Sequence, residues 1–244
     1  MEWDPEAAAA VVHDEGHTLV NRCQQSATRP VPSCPGWTAA DLAIHTATVH
    51  RRVAHWCTIR ATTPEPAPNP QPDDPHTPWD WCHAAVDLVA DALTTIAPDE
   101  PVWTWTDRQD AGFYHRRMVH ETVLHHWDAA SIDATPIALD PARSADGIDE
   151  LMTVGMRFRS GGAAIDYPAG SVSILATDTG HRWSLVAIDR ALGIGRGATV
   201  ITGTDATITA TAANLFLALW GRASTALDRR GDIGVAEAWC TVAP

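Results

Sequence analysis

Lysine is absent from this chain. All 17 basic residues are arginine, and 30 Asp and Glu outweigh them to give a formal net charge of -13. So little positive charge leaves a surface that repels nucleic acid and anionic membranes, and neither is expected as a partner. Arginine in place of lysine, with much alanine, 17 prolines and 11 tryptophans, points to a GC-rich coding source. Also missing is any C-x-x-C pair: Cys23, Cys34, Cys57, Cys82 and Cys240 are dispersed and odd in number. That pattern argues for a reducing cytoplasm rather than a disulfide framework. No apolar run reaches the roughly 20 residues needed to cross a bilayer. The opening MEWDPEAAAA is acidic and has no basic n-region, so a secretory signal is not expected. What remains is 45% hydrophobic and 19% charged over 244 residues, the composition of one large or two modest globular domains.

Taken in order, residues 5–28 read as a helix capped by Asp4, with Pro5 at its first position. Val11, Val12, Leu19 and Val20 form a partial apolar stripe. His13 and His17 lie i,i+4 on this helix and could bind metal themselves, but nothing else in the sequence supports that, and they read as solvated or capping residues. VPSCPG is an extended entry to a second helix, about 39–61, with Thr38 as N-cap and Asp41 as its capping-box partner. Leu42, His45, Val49, Val53 and Trp56 recur at three and four, which places His45 on the buried face and His50 and His55 off it, in solvent. The proline-rich segment 62–78 is a loop. A third helix spans about 79–97, with Trp79, Val86, Leu88, Val89 and Leu93 inward. PVWTWTDRQDAGFYHRR alternates apolar and polar residues around Asp110–Gly112, which suggests a short hairpin or an extended connection.

The fourth helix holds the most chemistry: HRRMVHETVLHHWD, residues 115–128, within a helix that reads to about 130. Residues four apart differ by only about 40° in direction, so Glu121 and His125 share a face and can converge on one point. His120 and His125, five apart, do not, so this is not the zinc-protease H-E-x-x-H arrangement. A Glu–His pair on a helix can be a surface ion pair. It can also be two metal ligands, which a buried imidazole on a facing helix, His45, would complete. Asp128 is either a partner behind His125 or a surface cap, and Trp37 and Trp127 are candidates to pack beside the site. Four helices with long connections suggest a bundle.

The texture then changes. Residues 142–159 read as a linking helix. SVSILATD, HRWSLVAID, ATVITG and ATITATA are short runs rich in Val, Ile and Thr, bounded by Gly or Asp, which read as strands. AANLFLALWGR reverts to a helix period, and IGVAEAW is a closing strand candidate. The boundary falls near 145, giving domains 1–145 and 146–244.

VPSCPGW with DLAIH, then RRMVHETVLHHWDA, then TGHRWSL with LFLALWGR occur in that order across nearly the whole chain. Together they make the chain resemble the mycothiol-dependent maleylpyruvate isomerase family of actinobacteria. The resemblance implies an α + (α+β) protein. Its first half would be a DinB-like four-helix bundle holding a divalent metal, usually zinc. Its second would be a small sterol-carrier-protein-like α+β domain with a mainly antiparallel sheet. It implies His45, Glu121 and His125 as metal ligands and Arg222, in LWGR, as a catalytic arginine. A second arginine has no clear match; Arg60, Arg116 and Arg117 are the candidates.

The family resemblance also implies the chemistry. Three ligands leave an open position on zinc, where a thiol such as mycothiol loses its proton and becomes a nucleophile for an electrophilic substrate. In cis–trans isomerisation the thiolate adds to a conjugated double bond, rotation follows, and it leaves. The alternatives are a mycothiol S-transferase, in which the thiol stays on the product, and a non-catalytic metal- or ligand-binding module. Cys34 reads as structural rather than as the reacting thiol. The expected partners are a small-molecule thiol and its electrophile, with the chain a monomer and a dimer left open.

Overall fold

Asp4 ends an extended segment and its Oδ1 accepts from the Ala7 amide at 2.9 Å, with Pro5 beginning helix α1, Pro5–Gln25. These are the residues that satisfy a helix start, an acceptor for an orphan amide and a ring with no amide to orphan. Helix α2, Ala39–Ile59, begins with the complete capping box of Thr38 and Asp41. Helix α3 is Trp79–Thr95, and α4 is Ala111–Ser131, capped by Asp110 on the Phe113 amide. The computed structural model describes residues 3–66, 71–135, 137–158, 165–222 and 226–242. It divides into two compact units, Met1–Ile137 and Ala138–Pro244.

In the first unit α1 packs on α3 and α4, and α2 packs on α3 and α4. Leu19, Val20 and Cys23 of α1 meet Leu42, Ala43 and Ala47 of α2, Cys82, Ala85 and Val86 of α3, and Ala129 of α4 in one buried cluster. Each large aliphatic side chain there contributes roughly 1.5–3 kcal/mol. The inward face of α2 is the expected one only in part: Leu42 and Val53 are buried as expected. Ala43, Thr46, Ala47, His50, Ala54 and Cys57 are buried, while His45 and Val49 are only half-buried. Small residues let the helices close on that side, and the buried face turns toward them. His50 is therefore a core residue, not a solvated one. Leu88 of α3, expected inward, is exposed. Before α4 the chain makes a loop closed by a bridge between Pro101 and Asp110, and α4 begins four residues ahead of the expected start.

The second unit opens with α5, Pro141–Glu150, which runs into a π-helical turn, Leu151–Gly155, shortening the expected linking helix; Arg159 lies outside the described residues. Strands β1 (Ser171–Ala176), β2 (Arg182–Ile188), β3 (Ala191–Arg196), β4 (Ala206–Ala210) and β5 (Asp228–Gly231) form one sheet in the order β3-β2-β1-β4-β5. The sheet is mixed rather than mainly antiparallel. After β3 a 3-10 turn, Gly197–Thr199, and a loop carry the chain to the free edge of β1, where β4 pairs in parallel, Ile174 opposite Ile208. ATVITG is thus a turn and not a strand; ALGIGR is the strand in its place. Gly195 permits this, because a Cβ there would stand 2.4 Å from the Thr199 carbonyl oxygen. Helix α6, Ala212–Leu219, follows β4 as expected. IGVAEAW is not a strand but helix α7, Ile233–Cys240, started by Asp232 capping the Val235 amide. No described helix is long and apolar enough to cross a membrane.

Candidate active site

Helices α2 and α4 bring His45, Glu121 and His125 together, with one donor atom from each lying within 4.8 Å of the others. Glu121 Oε1 is the common point. It lies 3.5 Å from His45 Nε2 and 3.3 Å from His125 Nε2. Tetrahedral ligands about 2.1 Å from an ion sit about 3.4 Å apart, so the spacing fits one divalent cation. The other oxygen, Oε2, accepts from Arg117 Nη2 at 2.7 Å. Each carboxylate oxygen therefore has its own task.

Behind His125 is Asp128, fully buried, with Oδ2 2.9 Å from His125 Nδ1. The same oxygen accepts from Cys34 Sγ at 3.6 Å. A carboxylate at Nδ1 holds the proton on that nitrogen and leaves the Nε2 lone pair facing Glu121 Oε1. Two acceptors cannot face one another alone; a proton or a cation must lie between them. Without a metal the proton takes that place. Burial disfavours the imidazolium, but Glu121 and Asp128 outweigh it and carry the His125 pKa up to about 9. For Glu121, burial pushes up and the His125 charge, the hydrogen bonds from both histidines and Arg117 pull harder, holding the carboxyl well below the usual range. The donor set and its spacing fit a divalent metal.

Exposure shows which side is open. The His45 side chain is 38% exposed, against 15% for Glu121 and 9% for His125. The Trp37 ring lies beside that of His45, with centroids 4.7 Å apart. Deeper in, His50 Nε2 pairs with Thr122 Oγ1 at 2.9 Å. Burial pushes its pKa down to about 4, with His125 and His45 adding to the fall and Glu121 opposing it.

Of the candidate second arginines, Arg117 reaches this cluster and Arg60 pairs with Glu100 at 3.1 Å. The Arg117–Glu121 contact was readable as an i,i+4 pair in RRMVHE. Asp128 was singled out in sequence without a role, and the structure places it on His125. Arg222 belongs to the second unit, just past α6, where its Nη1 donates to the Trp220 carbonyl at 2.7 Å.

A helical unit that gathers two imidazoles and a carboxylate around one point, followed by a unit with a mixed sheet, defines a two-unit protein with a candidate metal cluster in its first unit. The chain belongs to the mycothiol maleylpyruvate isomerase family, an enzyme family: residues 9–130 match its model, described as the mycothiol maleylpyruvate isomerase N-terminal domain. Two solved structures are similar to the chain. They are crystal structures of the mycothiol-dependent maleylpyruvate isomerase and of a histidine-to-alanine mutant of it. Each has a TM-score of 0.63 and 14% identity, over 99% of this chain and 97% of the other. At that identity the likeness is one of fold. No curated protein matches the chain.

Proposed function

We propose that this protein is a mycothiol-dependent isomerase of the maleylpyruvate type. A divalent metal, zinc by its donor set, would be held by His45 Nε2, Glu121 Oε1 and His125 Nε2 in a DinB-like four-helix bundle. The observation that carries the reading is the pair of spacings at Glu121 Oε1, 3.5 and 3.3 Å, from histidines on two different helices. When bound, the metal supplies the positive charge that acidifies a thiol. The chain's own residues do the rest. Asp128 keeps the proton on His125 Nδ1 and so keeps Nε2 available. Arg117 occupies Glu121 Oε2 and leaves Oε1 for the metal. His45, at the solvent edge, and Trp37 beside it border the way in.

Arg222 is the candidate cation for an anionic group of substrate or thiol, because a guanidinium can fork onto a carboxylate. The reading is tested with untagged protein stripped by chelator and reloaded with Zn(II), given mycothiol and a cis-configured conjugated diacid such as maleylpyruvate. Conversion to the trans isomer should need both metal and thiol, with free thiol recovered. Equal turnover without metal sinks the reading, and thiol retained on the product replaces isomerase by S-transferase.

A further inference from the structure

A second histidine cluster stands where α1 packs on α3. Gly16 of α1 meets Val86 of α3 so closely that a Cβ at Gly16 would lie 2.8 Å from Val86 Cγ1. That contact sets α1 against α3 and places His13 and His17 of the one beside His83 and Asp87 of the other. His17 Nε2 is 2.8 Å and His13 Nε2 3.9 Å from Asp87 Oδ1. These distances bracket the roughly 3.4 Å that separates tetrahedral ligands of a small divalent ion. The donors of His13, His17 and Asp87 all lie within 4.8 Å of one another.

Both histidines are held from behind. His13 Nδ1 pairs with Asp14 Oδ1 at 3.0 Å, and His17 Nδ1 with His83 Nδ1 at 2.6 Å. A proton on His13 Nδ1, held by Asp14, leaves the Nε2 lone pair directed at Asp87, as in metal sites where a carboxylate orients a ligand imidazole. Hydrogen bonding alone does not account for the cluster. At 3.9 Å, His13 Nε2 is beyond hydrogen-bond reach of Asp87, so the ring converges on the carboxylate without bonding it.

We propose that His13, His17 and Asp87 form a second divalent-metal site, one that takes a borderline transition ion such as Zn(II), Co(II) or Ni(II). The donors, two imidazole nitrogens and one carboxylate oxygen, select that class over Ca(II) and Mg(II), which demand oxygen ligands. With His13 and Asp87 about half exposed, the ion enters from solvent and exchanges freely. It ties α1 to α3 across the helix contact, so its effect is on stability and not on turnover.

The experiment uses full-length, untagged, chelator-stripped protein carrying Glu121→Gln and His125→Ala, so that the first cluster is disabled and its failure cannot mimic this one. Calorimetric titration with ZnCl2 should show one ion per chain. Co(II) should give the visible absorption of a low-symmetry nitrogen–oxygen site. In the same background His17→Ala should abolish binding, and the exposed His13→Ala should weaken it at least tenfold, each with an unchanged circular dichroism spectrum. Zn(II) at a hundredfold excess over its Kd should raise the thermal midpoint by about 5 °C or more, and His17→Ala should remove that rise. Should the double variant bind no Zn(II), or bind it equally after His13→Ala and His17→Ala, the cluster is a hydrogen-bonded surface network and the proposal is wrong.

Discussion

Asp128 Oδ2 stands 2.9 Å from His125 Nδ1, and Asp128 has no exposed surface. The pair fixes which nitrogen of His125 faces the cluster before any ion arrives. Its removal should be felt in metal affinity more than in fold. Asp128→Asn should lower Zn(II) affinity about 10- to 100-fold, measured by competition with a chelator, with the helical spectrum retained. Unchanged affinity would make Asp128 a structural residue only.

The proposed ligands differ in what their loss leaves behind. His125→Ala removes one donor and should lose most of the metal and the activity while the chain stays folded. Glu121→Ala also leaves Arg117, 8% exposed, without its carboxylate. Breaking a buried ion pair from one side is destabilising, by up to about 3–5 kcal/mol. Chemical denaturation of the metal-free variants should therefore show Glu121→Ala well below His125→Ala, with Glu121→Gln between them. Equal midpoints would show that the Arg117–Glu121 pair contributes little to stability.

His50 makes stability fall on the acid side. Its pKa is lowered from 6.5 to about 4 by burial, so above 6.5 it is neutral in both states and its full contribution is present. As pH drops from about 6.5 toward 4 the unfolded chain takes up a proton that the folded chain does not, and stability is lost. The loss approaches about 3 kcal/mol near pH 4, from roughly 1.4 kcal/mol per unit. Urea unfolding of metal-free protein at pH 7 and pH 5 should show the trend, and His50→Leu should flatten it. A His50→Leu protein with the same slope as wild type would assign the loss to other groups.

Three of the thiols should be silent. Burial pushes Cys23, Cys57 and Cys82 up to about 12, so each stays a thiol at neutral pH. The thiolate is the reacting form. Iodoacetamide at pH 8 followed by peptide mass spectrometry should leave these three unlabelled in the folded protein and label them in denaturant. Rapid labelling of any of them under native conditions would mean that the helical core opens readily.

Arg222 separates two roles by kinetics. If it meets an anionic group of substrate or thiol, Arg222→Lys should lower kcat/KM at least tenfold with metal content unchanged, and Arg222→Ala should lower it further. If its role is structural, as in its hydrogen bond to the Trp220 carbonyl, kcat/KM should hold and only the thermal midpoint should fall.

Where a signal lies within a turn or two of its partner, this sequence carries it in full. Asp4 with Pro5, Thr38 with Asp41, and Glu121 with His125 are each pairs that local geometry joins, and each stands in the structure as its spacing implies. A helix start or a shared helix face needs nothing beyond the backbone. The faces that helices turn inward are another matter. Apolar stripe counting put His45 inside and His50 outside, yet alanines on α2 allow close approach and bury His50 against Thr122. The segment 191–196 reads poorly as a strand because its glycines have no β preference, and only its neighbours show why they are needed: side chains there would strike Val186 and Thr199. IGVAEAW carries strand-forming residues, but so short a segment takes the state its packing allows, and Trp239 is fully buried with α7 in helix. His17 and His83, on separate helices far apart in the chain, share no local pattern. Their meeting, like the parallel pairing of β1 with β4, exists only because distant surfaces without a common sequence signal were brought together by packing.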